Sequence, residues 1–155
     1  MKILVVEDEF SKKENIIGLL NEYFNGNVDI HTAMSVRSAK NILKVDSDFD
    51  CIILDMSLPT YDIGKEEFGG RPRGFGGKDV IRLVVRQKQN IPILVLTAYE
   101  AFSVDSEDDD TDISLDELKE QLDKYTETIT IKVVKYNTLM DDWKNKVIEF
   151  LGNLN

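Results

Sequence analysis

Apolar positions along this chain follow two rhythms that alternate from the first residue to the last. Ile3-Leu4-Val5-Val6 is an unbroken, β-branched-rich run, the pattern of a strand buried on both faces. Ile16, Ile17, Leu20, Tyr23 and Phe24 then recur at helical spacing until Asn25-Gly26-Asn27 stops them. Ser11-Lys12-Lys13-Glu14 reads as a capping box opening that helix. Val28, Ile30 and Thr32 alternate with Asp29 and His31, as in a strand near a sheet edge. Ser35 caps a second helix carrying Val36, Ala39, Ile42 and Leu43. Phe49 to Leu54 predicts a third strand, and Lys78 to Gln89 a third helix with Val80, Ile81, Val84 and Val85 inward. Ile91 to Leu96 reads as a fourth strand, with Pro92 tolerated at its start. Ser114-Leu115-Asp116-Glu117 is a second capping box, opening a helix with Leu115, Leu118, Leu122 and Tyr125. Thr128 to Val134 predicts a fifth strand. Asn137 or Thr138 caps a last helix bearing Met140, Trp143, Val147, Phe150 and Leu151.

Strands alternating with helices imply an α/β fold: a doubly wound, five-stranded parallel sheet with helices on both faces. Right-handed crossovers place every strand's carboxyl end on one edge. Those ends carry Glu7-Asp8, Thr32-Ala33, Asp55, Thr97 and Lys135. At 155 residues the chain is one domain, residues 1–155. Two stretches exceed a minimal version of the pattern. Residues 60–77 form a glycine-rich insertion holding six of the nine glycines, and residues 99–113 form an acidic one. Unstructured loops beyond about 12–15 residues are uncommon and tend to be functional or disordered.

Charge narrows the function. With 29 acidic against 19 basic residues the net charge is −10, which argues against nucleic-acid and anionic-membrane partners. The single cysteine, Cys51, lies in an apolar run and excludes an intrachain disulfide. No stretch has the length of a membrane span and no secretory leader is visible, so a cytoplasmic location is expected. Asp105 to Asp112 resembles a calcium loop but lacks the mid-loop glycine and closing glutamate; a solvated loop is the better reading. Gly69 to Asp79 fails the spacing of a phosphate-binding loop. His31 is read as exposed on an outer strand, and Trp143 as core.

The remaining candidates sit at the strand ends. Ligands of open α/β sheets bind outside the carboxyl ends of the strands. Glu7, Asp8 and Asp55 brought together would repel one another, and a hard divalent cation such as magnesium would relieve that repulsion. Thr97 offers a hydroxyl and Lys135 a fixed positive charge. Metal, hydroxyl and ammonium around a nucleophilic carboxylate suit phosphoryl transfer, where catalysis is mostly positioning and electrostatics.

In order along nearly the whole chain, these residues resemble the receiver domains of two-component response regulators. Lys2-Ile3-Leu4-Val5-Val6-Glu7-Asp8-Glu9 is similar to that family's first strand and acidic pair. Leu54-Asp55-Met56-Ser57-Leu58-Pro59 is similar to its phosphoacceptor motif, and Leu96-Thr97-Ala98 to its switch threonine and small residue. Lys135 falls where its lysine ends the last strand. The resemblance implies a flavodoxin-like (βα)5 fold with strand order 2-1-3-4-5. It implies that Asp55 accepts a phosphoryl group from a sensor histidine kinase or histidine phosphotransfer protein. Magnesium would be held by Asp8, Asp55 and the backbone carbonyl of Ser57, with Glu7 acting through water. Thr97 and Lys135 would bind the phosphoryl oxygens. The chain would then act as a stand-alone switch, catalysing only its own phosphorylation and dephosphorylation. Its output would be contact with a downstream protein, and homodimerisation stays open.

The sequence departs from the family pattern at the last strand. Tyr136 follows Lys135 where the family has proline, and Lys132 stands where the family has its switch aromatic. Lys132 is therefore a rival to Lys135, and the two point to opposite faces of a regular strand. Two alternatives follow. One is a receiver-like module that binds partners constitutively. The other is a magnesium-dependent aspartyl-nucleophile phosphatase, disfavoured because Ser57 stands where such enzymes want a second acid.

Overall fold

The computed structural model describes residues 1–62, 76–98, 101–103 and 112–154. The elements run β1 (Lys2–Val6), α1 (Phe10–Tyr23), β2 (Asp29–Ala33), α2 (Val36–Val45), β3 (Cys51–Leu54), α3 (Gly76–Arg86), β4 (Ile93–Thr97), β5 (Ala101–Ser103), β6 (Asp112–Ser114), α4 (Leu115–Thr126), β7 (Ile131–Lys135) and α5 (Asp142–Gly152). Five strands form one sheet in the order β2-β1-β3-β4-β7, every neighbouring pair parallel. This is the expected 2-1-3-4-5 order with β7 as the fifth sheet strand. The difference is a small antiparallel pair, β5 with β6, where the sequence pattern predicts only an acidic loop. Three-residue strands are too short to show a period, and only their pairing defines them. Most of the calcium-like run and most of the glycine-rich stretch lie outside the described residues.

The pleat sorts the sheet's apolar residues to two cores. Leu4, Val6, Ile52, Leu54, Ile93 and Val95 face α2, α3 and α4, meeting Ala39, Leu43, Val80, Ile81, Val84 and Leu118. Ile3, Val5, Cys51, Ile53, Leu94, Leu96 and Val134 face α1 and α5, meeting Ile16, Leu20, Trp143, Val147 and Phe150. Full burial of one such Leu or Ile is worth about 1.5–3 kcal/mol, so these two layers hold the strand ends in place.

The helix starts differ from one face to the other. Ser35 and Ser38 close a reciprocal cap on α2, with each backbone amide 3.0 Å from the other's hydroxyl. Ser114 and Glu117 do the same on α4, as expected. α1 does not follow its expected cap. Its N-cap is Glu9 and Ser11 lies inside the first turn, donating its hydroxyl to Glu9 Oε1 at 2.7 Å. The Glu9 amide instead donates to Glu7 Oε1 at 2.9 Å, so a buried carboxylate sets this turn. α5 begins at Asp142 with Asp141 as N-cap. Neither Asn137 nor Thr138 caps it, because Asn137 Oδ1 closes a local turn onto the Leu139 amide.

α3 presses directly on the segment after β3. The Gly77 amide donates to the Met56 carbonyl at 3.0 Å. A Cβ on Gly77 would stand 2.6 Å from the Asp55 carbonyl oxygen, and one on Gly76 would stand 2.6 Å from that of Leu58. Only glycine permits that approach. Among the described residues, no helix is long and apolar enough to cross a membrane.

Candidate functional site

β1 and β3 are neighbours, with Val6 opposite Leu54, and the ladder runs one step past each strand. The Asp55 amide donates to the Val6 carbonyl at 2.9 Å and the Glu7 amide to the Ala33 carbonyl at 3.0 Å. Glu7 follows Val5 and Asp55 follows Ile53 at a spacing of two, so both belong to the sheet face covered by α1 and α5. Asp8 is half-buried beside them. Carboxylate oxygens of Glu7, Asp8 and Asp55 lie within 4.8 Å of one another. Glu7 is 1% exposed and Asp55 5%. Asp55 Oδ1 accepts the Met56 amide at 2.8 Å, which orients the carboxylate.

The cation in this cluster is Lys12, from the first turn of α1. Its side chain is 1% exposed. Nζ lies 2.6 Å from Glu7 Oε2 and 3.3 Å from Asp55 Oδ1, and it donates to the Leu96 carbonyl at 2.8 Å. An ammonium has three N–H donors, and here three oxygens surround it. A buried charge is tolerated only when compensated in this way.

The charges do not balance. Three carboxylates against one ammonium leave two negative charges. Burial, reinforced by the Asp55 charge and opposed by Lys12, pushes the Glu7 carboxyl up to about 7. Burial and the Asp55 charge also raise Asp8. Burial raises Asp55 against the pull of Lys12. Burial alone would lower the Lys12 ammonium, but the Asp55 and Glu7 charges more than offset it and hold it above its ordinary value. The cluster therefore fits a hard divalent cation, which prefers oxygen ligands. The cleft over it measures about 270 Å³ and is lined by Glu7, Asp8, Lys12, Asp55, Ser57 and Ala98. That is room for an ion and a phosphoryl-sized group, below the range of sites for larger ligands. A larger cavity of about 370 Å³ opens between α1 and α5, away from the acids.

The structure thus brings together Glu7, Asp8, Asp55 and Ser57. Thr97 ends β4 at the same edge but is fully buried, and Ala98 forms the cleft wall beside it. Its Oγ1 has no hydrogen-bond partner among the described residues.

The expected strand-end lysine reaches the edge but does not line the cleft. Lys135 pairs in register with Thr97, so it reaches the right edge, but its side chain is exposed. On β7, Ile131 and Val133 pack toward α4, while Val134 and Tyr136 pack toward α1 and α5. Alternation therefore puts Lys135 on the same face as its register partner Thr97, opposite that of Glu7 and Asp55. Lys132 has the right face but the wrong depth: it pairs with Leu94, well inside the sheet, and bonds Glu149 of α5 at 3.0 Å. The residue past β7 on the site's face is Tyr136. It is buried, its amide donates to the Thr97 carbonyl at 2.8 Å, and its hydroxyl accepts from Asn15 Nδ2 at 2.9 Å. Lys12 Nζ lies 5.4 Å from the centre of its ring.

Sequence reasoning missed Lys12, although a signal was present. Lys12 precedes Ile16, Leu19 and Leu20 at spacings of four, seven and eight, on the stripe of α1 that faces the core. A lysine on an apolar stripe needs a buried counter-charge, and Glu7 and Asp55 supply it.

No family model matches the chain. It is 33% identical over 104 residues to the Detocs response regulatory protein DtcB of Enterobacter cloacae, covering 66% of this chain and 68% of that one. It is 29% identical over 150 residues to the protein of the same name from Vibrio alginolyticus, covering 96% and 98%. Among solved structures it resembles the response regulator protein TrrA of Thermotoga maritima in complex with magnesium and beryllofluoride. That likeness has a TM-score of 0.57 at 22% identity, over 99% of this chain and 98% of the other.

Proposed function

The chain belongs to the response regulator receiver family, and on that premise we propose that it is a phosphorylation-dependent switch whose phosphoacceptor is Asp55. The supporting observation is a buried strand-end carboxylate at the floor of a small cleft, within 4.8 Å of two further acids. In the step envisaged, an Asp55 carboxylate oxygen attacks the phosphorus of a phosphohistidine on a partner kinase or phosphotransfer protein. An O–P bond forms and the N–P bond breaks. The electron pair stays on the donor's ring nitrogen, whose imidazole keeps its proton on the other nitrogen. This chain transfers no proton. Asp8, Asp55 and the Ser57 carbonyl would hold magnesium, with Glu7 behind them. Magnesium, when bound, supplies charge neutralisation for the transferring group.

The chain's own residues do the rest. The Met56 amide aims the Asp55 carboxylate. The cleft, about 270 Å³ among the described residues, has room for a phosphoryl group. Thr97 holds a buried hydroxyl without a partner among the described residues, a condition that costs about 1–3 kcal/mol and that a phosphoryl oxygen could relieve. Moving Thr97 would reshape the edge shared with β7, because its carbonyl already bonds Tyr136. The output on this reading is contact with a downstream protein.

Incubation with magnesium and acetyl phosphate should add one phosphoryl mass to the intact protein, and Asp55→Asn should add none. An unmodified wild type, or an undiminished adduct on the variant, would sink the reading. A constitutive interaction module is the second reading, motivated by Lys12, which already partly neutralises Glu7 and Asp55 without any ion. Amide exchange that is identical with and without magnesium and beryllofluoride would favour that alternative.

A further inference from the structure

We infer that Lys12, delivered by helix α1, is the cation that receives the phosphoryl group on Asp55, in place of a lysine at the end of the last sheet strand. This rests on Asp55 being the phosphoacceptor. Three independent observations carry it.

The first is contact. Lys12 Nζ stands 3.3 Å from Asp55 Oδ1, the atom type that would form the new bond. A cation there meets the charge of an arriving phosphoryl group without any rearrangement of the chain, which is what preorganised stabilisation requires.

The second is the placement of the rival residues on β7. Lys132, Val134 and, just beyond, Tyr136 share the face covered by α1 and α5. Lys132 is held by Glu149 at mid-sheet depth. Tyr136 has no charge to offer. Lys135 is level with Thr97 but exposed, whereas Lys12 is buried against the acids.

The third is support. Tyr136 and Asn15, one turn of α1 beyond Lys12, form a brace. Their hydrogen bond of 2.9 Å fixes the ring whose face lies 5.4 Å from the ammonium. A ring at that distance stabilises a desolvated cation. The residue directly after Lys135 is thus the aromatic one that seats the helix-borne lysine.

The arrangement has a further consequence. Lys12 Nζ is shared between Glu7 and Asp55 before phosphorylation. A phosphoryl group on Asp55 draws the ammonium toward itself and weakens its pair with Glu7. The change is then registered on α1 and through Asn15 at Tyr136, rather than through a strand-end lysine on β7.

The test compares Lys12→Met, Lys132→Met and Lys135→Met. For each, adduct formation with acetyl phosphate, beryllofluoride affinity and magnesium affinity without phosphodonor are measured. Lys12→Met should slow adduct formation by roughly a hundredfold and weaken beryllofluoride binding comparably. It should retain magnesium binding, because its loss removes a competitor for Glu7. Lys132→Met and Lys135→Met should stay within about twofold of wild type on every measure. A wild-type rate for Lys12→Met, or a large loss in Lys135→Met, overturns the inference. If the wild type binds magnesium yet forms no adduct, the phosphoacceptor reading itself fails. Should Lys12→Met not fold, the wild type labelled with nitrogen-15 at lysine Nζ answers the question. The Lys12 ammonium signal, distinguished from that of Lys135 with Lys135→Arg, should shift on adding magnesium and beryllofluoride beyond the shift with magnesium alone. A shift at Lys135 instead refutes the assignment.

Discussion

Glu7 and Asp55 reach the cleft from strand ends, whereas Lys12 reaches it from the inner stripe of a helix. The acids are carried there by backbone hydrogen bonds between neighbouring strands, and any residues at those positions would arrive at the same edge. The lysine arrives only because Ile16, Leu19 and Leu20 seat α1 against Ile3, Val5 and Leu96. One half of the site follows from sheet topology and the other from helix packing. The helix starts repeat the contrast. α2 and α4 carry self-contained caps, while the first turn of α1 is organised by Glu7, a residue of the site.

The sharpest way to break this comparison is to remove the helix-borne charge. Lys12→Met leaves two buried carboxylates uncompensated and should cost about 3–5 kcal/mol in urea unfolding without metal. Magnesium should restore part of it. Lys135→Met should change stability by no more than about 0.5 kcal/mol; equal losses in the two variants would abolish the distinction.

Gly77→Ala tests the strand-end half. The added methyl meets the Asp55 carbonyl, so a loss of about 1–3 kcal/mol is expected together with slower phosphoryl-adduct formation. A variant that matches wild type in both would mean that the contact between α3 and the Asp55 segment is unimportant. The caps give a smaller effect. Ser35→Ala should lose about 1 kcal/mol, but Ser11→Ala only a few tenths, since Ser11 is no cap. Urea midpoints of the two variants decide it, and a reversed order would restore the Ser11 capping box.

The smallest effect lies beneath the cleft. Burial, reinforced by Asp50, pushes the Cys51 thiol up to about 12 from an unfolded value of 9.0. The folded state therefore holds this proton where the unfolded state has released it. The thiol's contribution is intact below about pH 9 and is lost as pH rises from there toward 12. At pH 8 the native protein should resist iodoacetamide and become labelled only when unfolded. Rapid labelling of the native state would show that the layer under Asp55 is open.

Much of this was legible in the sequence because it depends on short-range rules. Unbroken apolar runs announce the three central strands, Ser35 and Ser114 announce two helix starts, and Asn25 and Gly26, both at positive φ, announce the end of α1. The β5–β6 pair was not legible, being too short for any period. The start of α1 differs because the helix already begins at Phe10, so Ser11 lies inside the first turn and its hydroxyl bonds Glu9 instead of capping.

The sequence by itself determined which edge of the sheet carries the acids, since a strand's carboxyl end is set by topology and each acid directly follows its strand. Only the tertiary structure decided which lysine joins them. Lys12, Lys132 and Lys135 are alike as letters. They differ in the face to which the pleat turns them, in depth along the sheet, and in whether a packed helix carries an ammonium into a desolvated cluster that must have one.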